Sequence, residues 1–109
     1  METKSLFIKF MGDSPVIRVL NYLITERDLD FSITDMADNS GIGRATLYRI
    51  WDNLIKNEII AHTRDIGKAK LFKLNKANTK IKKLIEIYDM LTLEELKARC
   101  KKEEDCIVG

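Results

Sequence analysis

The chain has 109 residues, with 19 Lys and Arg against 17 Asp and Glu, one His and two Cys. That length builds a single core and no second domain of ordinary size, and 45% hydrophobic with 33% charged residues excludes a wholly disordered chain. No apolar run approaches the roughly eighteen residues of a membrane span and no basic, then apolar, leader opens the chain, so a cytoplasmic protein is expected.

Residues 4–11 place Leu6, Phe7, Phe10 and Met11 at helical spacing, with Gly12 as the stop. So many large apolar side chains on so short a helix point either to a second subunit or to this domain's own core. Asp13-Ser14-Pro15 is a helix start, because Ser14 can cap and proline lacks only an N–H that the first turn leaves unpaired. The second helix is expected to run to about Arg27 with Ile17, Leu20, Leu23 and Ile24 buried. A short bridge of strand over residues 31–33 follows, and Ser32 caps a third helix, with Asp35 in the place of a capping-box acid.

Residues 33–57, ITDMADNSGIGRATLYRIWDNLIKN, have the spacing of a helix-turn-helix. Ile33, Met36 and Ala37 make one apolar face, Gly41 ends the helix in the left-handed conformation, Ile42 plugs the corner and Gly43 caps the next helix. Leu47, Ile50, Trp51 and Leu54 then form a buried stripe, which leaves Arg44, Ala45, Thr46, Tyr48, Arg49, Asp52 and Asn53 outward. Residues 59–64 and 69–74 are β-prone runs around Asp65-Ile66-Gly67-Lys68 and predict a hairpin, with Arg64, Lys68 and Lys70 crowding its tip. From Asn78 onward Ile81, Leu84, Ile85, Tyr88 and Leu91 keep a helical stripe, extended by Leu93, Leu96 and Cys100. It packs either on the same helix of a twin, the favoured reading, or back on its own domain.

Basic charge concentrates in the middle of the chain. Residues 42–74 carry seven Lys and Arg against three acids, and residues 75–83 add four Lys and no acid. The flanks, residues 1–41 and 84–109, each carry four against seven. A basic surface between acidic ends suits a duplex phosphate backbone, although a solvated face produces the same pattern.

Through GDSPVIRVLNYL, SGIGRATLYRIWDNLIKNEII and TRDIGKAKLFKLN the chain resembles small archaeal winged helix-turn-helix transcriptional regulators, related in architecture to the MarR and ArsR groups, over residues 5–90. The resemblance implies a mainly α fold with a small β-hairpin, N- and C-terminal helices for dimerisation, and a dimeric, sequence-specific DNA-binding regulator. The helix over residues 44–56 would enter the major groove and the hairpin tip would lie along the neighbouring minor groove. The organisation expected is a winged helix-turn-helix over residues 1–77 and a dimerisation helix and tail over residues 78–109. No cysteine motif of the metal-sensing ArsR kind is present, so metal sensing does not carry over.

The side chains suit those roles on their own chemistry. Arg44 or Arg49 can pair bidentately with guanine, Asn53 suits adenine, and Thr46 suits a thymine methyl or a phosphate. Tyr48 can stack on sugar and reach a phosphate, while small Gly43 and Ala45 let phosphate approach the helix N-terminus. Arg64, Lys68 and Lys70 are candidate phosphate contacts of the wing, and Lys76, Lys80, Lys82 and Lys83 of the flank. The candidate dimer contacts are Leu6, Phe7, Phe10, Ile81, Leu84, Ile85, Tyr88 and Leu91.

Catalysis is not expected. His62 has neither a metal-ligand partner nor a positioned nucleophile, and no phosphate loop or carboxylate pair appears, so neither a metal nor a cofactor is predicted. Cys100 and Cys106, in a charged tail, read as reduced surface thiols. The partners expected are double-stranded DNA and a second copy of the chain on a partly palindromic operator, with any small-molecule effector left open. The other readings are an architectural DNA binder without sequence preference and a winged-helix protein-interaction module.

Overall fold

A computed structural model describes residues 5–102, with side chains to residue 97. Cys106 and the tail, expected to fray, lie outside the described residues, as does the Cys100 side chain. The element order is α1 (Leu6–Met11), α2 (Pro15–Thr25), β1 (Asp30–Ser32), α3 (Ile33–Ser40), α4 (Arg44–Lys56), β2 (Ile60–Ile66), β3 (Ala69–Leu74) and α5 (Thr79–Lys102).

The helix starts are chemically explicit. Ser5 Oγ accepts from Ile8 N, Ser14 Oγ from Ile17 N and Ser32 Oγ from Asp35 N, at 3.2, 3.2 and 3.1 Å. Each bond satisfies one of the donors that a helix N-terminus leaves unpaired. Helix α2 stops at Thr25, two residues short of the expected end, and its buried face includes Val19, with Ile17 only half-buried.

Helix α3 buries Met36 and Ala37 and ends at Gly41, whose φ of 76° is the left-handed turn the sequence predicts. Arg18 Nη1 lies 3.3 Å from where a Cβ at Gly41 would stand, so both backbone conformation and space favour glycine there. Ile42 N bonds back to Ala37 O at 3.1 Å and closes the corner. Helix α4 begins and ends where the sequence places it, with Leu47 and Leu54 fully buried. Trp51 belongs to the core, edge-on to Phe72 with ring centres 4.9 Å apart. Past α4, Glu58 takes a left-handed φ of 54°, which no glycine signalled in the sequence.

The strands form an antiparallel sheet in the order β1-β3-β2, with Phe31 opposite Phe72 and Ile60 opposite Leu74. Strand β2 is longer than expected. It pairs as far as Ile66 opposite Ala69, so the turn is Gly67-Lys68 alone, with positive φ at Gly67, as in hairpin turns that take glycine first. A bulge between His62 and Arg64 interrupts the ladder. Sheet and helices share one core that joins Val19, Leu23, Ile24, Met36, Leu47, Leu54, Leu74 and Ile81.

Two of the dimer contacts expected from the sequence are corrected here. Phe7 and Ile81, 1% and 2% exposed, lie inside the protein's own core and offer nothing to a second subunit. The Phe7 ring sits 5.5 Å from that of Tyr88, whose hydroxyl bonds Thr25 Oγ1 at 2.6 Å. Leu84, Ile85 and Leu91 are half-buried against the same core, and Leu6 is half-buried in α1. What remains outward is Phe10 (66% exposed) and Met11 on α1 with Met90, Leu93 and Leu96 on α5. The stripe was visible in the sequence, but its wet side lies on residues such as Met90 that a count of strong apolar positions passes over.

Candidate nucleic-acid interface

Helix α4 presents Gly43, Arg44, Ala45, Tyr48, Arg49 and Asn53 to solvent, with Thr46 half-buried among them. The reason is local: Leu47, Ile50, Trp51 and Leu54 fill the inward face, so the residues between them must project outward. Gly43 caps without a side-chain bond, so the first N–H groups of α4 receive no side-chain acceptor from the cap. A Cβ at Gly43 would meet nothing within 4 Å, so the approach to that helix end is open.

Among the described residues, Arg44 and Arg49 have neither an acidic partner nor a hydrogen bond. The same holds for Lys68 and Lys70 on the hairpin. Tyr48 is more than half exposed, although it is a large aromatic residue. Asn53 is engaged differently: its Oδ1 accepts from Asn57 Nδ2, which also donates to Asn53 O at 3.0 Å. One acceptor site of its amide is therefore in use, and its own N–H donors make no hydrogen bond among the described residues.

Arg64 departs from its expected place at the tip. It stands in the body of β2 opposite Leu71, and its guanidinium reaches across β3 to Asp30, Nε to Oδ2 at 3.0 Å and Nη2 to Oδ1 at 3.2 Å. Thr63 Oγ1 donates to the same carboxylate at 2.6 Å. The Arg64 and Thr63 hydrogen bonds hold the Asp30 carboxyl down at about 2. The pairing of β1 with β3 brings these residues together, a contact spanning 34 positions that no local pattern reveals. The wing tip is therefore Lys68 and Lys70 around Gly67. Of the flanking lysines, Lys76 is tied to Asp28 and Lys83 lies 3.8 Å from Glu86.

His62 is exposed, as expected for a surface strand residue, with Nε2 2.7 Å from Asp65 Oδ1 and its ring 5.5 Å from that of Phe72. Among the described residues no cluster of three or more His, Cys, Asp or Glu could hold a metal ion, and no helix is long and apolar enough to cross a membrane.

The sequence matches no protein-family model and no curated protein. Solved structures do resemble the fold. The adhesin competence repressor AdcR of Streptococcus pyogenes superposes with a TM-score of 0.60 at 18% identity, over 89% of this chain and 74% of that one. MepR, a transcription regulator of the Staphylococcus aureus efflux pump MepA, gives 0.58 at 18% identity over 88% and 80%. ZitR of Lactococcus lactis, solved in complex with DNA, gives 0.58 at 17% identity over 81% and 62%. At such identities the likeness concerns the fold: a mainly helical chain with a small antiparallel sheet, built as the winged helix-turn-helix of these transcriptional regulators.

Proposed function

We propose that the protein is a sequence-specific, double-stranded DNA-binding transcriptional regulator that acts in the cytoplasm as a homodimer on a partly palindromic operator, without catalysis or cofactor. The observation that carries this reading is that Arg44 and Arg49, exposed on α4, have no acidic partner while the other arginines with described side chains are paired, and that Lys68 and Lys70 stand exposed on the hairpin that follows α4. Arg44 and Arg49 read base edges, with Thr46, Tyr48 and Asn53 beside them, and Gly43 and Ala45 admit a phosphate to the helix end. Lys68 and Lys70 neutralise phosphate, and Arg64 adds to them from its tether. ZitR, which shares this fold, was solved in complex with DNA, and this supports the reading.

The dimer forms through the outward side of α1 and α5, where Phe10, Met11, Met90, Leu93 and Leu96 make an apolar face, with half-buried Leu6 and Leu91 at its border. Two-fold pairing sets the reading helices about 34 Å apart, one duplex turn.

Selection from a random duplex pool at about physiological salt tests both statements. An inverted repeat with half-sites one turn apart is expected. Tight binding with no recovered sequence points to an architectural protein, and no retention even at low salt overturns the DNA reading in favour of a protein partner.

A further inference from the structure

The end of α4 and the start of α5 meet through an unusual concentration of amide side chains. Asn57 Nδ2 binds the carbonyl and the side-chain oxygen of Asn53 on the reading face. One turn on, the Asn57 and Glu58 carbonyls each accept from Asn78 Nδ2 at 3.0 Å, and the Glu58 carbonyl accepts from Asn75 Nδ2 as well, also at 3.0 Å. The left-handed φ of Glu58 turns its carbonyl into that double clasp. Asn78 Oδ1 accepts from Lys80 N at 2.9 Å in the first turn of α5, and Asn75 Oδ1 accepts from Ala77 N at 3.2 Å in the turn that leads to it. Each amide thus uses its oxygen on the approach to α5 and its nitrogen on the end of α4.

Helix α5 packs against α1, and Ile81 near its start enters the core it shares with Leu47 and Leu54 of α4, so these hydrogen bonds act beside that packing to hold the first turn of α5 against the end of α4. We propose that Asn57, Asn75 and Asn78 are positioning residues, an amide relay from Asn53 to the first turn of α5 that fixes the distance between the two reading helices and so selects operators by half-site spacing. This inference rests on the dimeric reading given above.

Asparagine and aspartate differ here in one useful respect. Asn75→Asp with Asn78→Asp keeps both oxygen acceptors, in the turn before α5 and in its first turn, and removes the N–H donors that hold the end of α4. With Cys100 and Cys106 replaced by serine, spin labels at Asp52→Cys on α4 and Glu86→Cys on α5, in chains diluted with an excess of unlabelled protein, report the distance between the two helices within one chain, whether or not it dimerises or binds DNA. A narrow distance distribution in the parent and a broad one in the double aspartate variant is expected at retained helical content. On duplexes carrying the selected half-sites, changing the spacer by one base pair should cost the parent about tenfold in affinity and the variant less than about threefold, with the same half-site recovered. Glu58→Gly, which keeps the carbonyl, should retain the parental profile. An unchanged distance distribution in the aspartate variant overturns the relay. A broadened one alongside a parent indifferent to spacing leaves the joint standing and overturns the dimeric reader on which the spacing claim depends.

Discussion

The arginines with described side chains fall into two groups that treat charge in opposite ways. Off α4 they are closed into pairs, Arg18 with Asp13 at 2.7 Å, Arg27 with Asp89 at 2.8 Å and Arg64 with Asp30 at 3.0 Å, and Lys76 is paired with Asp28, while lysines such as Lys73, Lys80 and Lys82 stand open. On α4 and at the wing tip, Arg44, Arg49, Lys68 and Lys70 have no such acid among the described residues. Folding does not need unpaired cations, and exposed pairs contribute little to stability in any case, so the open arginines of α4 are the ones the proposed DNA contact would use.

The sharpest way to break that comparison is to remove the open arginines. Arg44→Ala and Arg49→Ala should each cost about 1–3 kcal/mol on the selected operator and much less on unrelated duplex, measured as the difference in Kd between the two. Equal losses on both sequences would place these residues on phosphate instead of base edges. Lys68→Ala and Lys70→Ala should weaken binding to every sequence alike and each lower the salt slope by about one. Asp30→Asn moves a cation from the paired set to the open one. It releases Arg64 toward phosphate, and a salt slope steeper by up to about one is the expected readout. Arg27→Ala, within the paired set, should leave DNA binding unchanged and cost about 0.2–1 kcal/mol in a denaturant titration.

The pairs also carry a pH signature. Hydrogen bonds from Lys76, Arg64 and Arg27 hold Asp28, Asp30 and Asp89 below the ordinary aspartate value of 3.8, with Asp30 at about 2. A depressed acid contributes stability above its unfolded value and loses it as pH falls through its folded one. Thermal stability should therefore be level above about pH 5 and decline toward pH 2. In Asp30→Asn the last part of that decline should be smaller.

Much of the reading head was legible because its signals are local. Ser14 and Ser32 cap where they stand, Gly41 can take a left-handed turn beside Arg18, and the stripe from Leu47 to Leu54 fixes which face of α4 is wet. What escaped was decided by partners distant in sequence. Arg64 is drawn back by Asp30, and Phe7 is claimed by a core that includes Ile81. Apolar periodicity says that a face will be covered and is silent about whether the cover comes from the same chain. The Glu58 turn left no mark either, because its cause is the pair of asparagines that receives its carbonyl.

The bulge in β2 has a consequence for how copies of this chain meet. A seven-residue strand at the border of a sheet carries a row of backbone groups that a neighbouring molecule can extend, which is the route to stacked aggregates. The irregularity between His62 and Arg64 breaks that row, and His62, Arg64 and Asp65 set charged or polar groups along it. Sheet growth between copies is thereby discouraged at the wing.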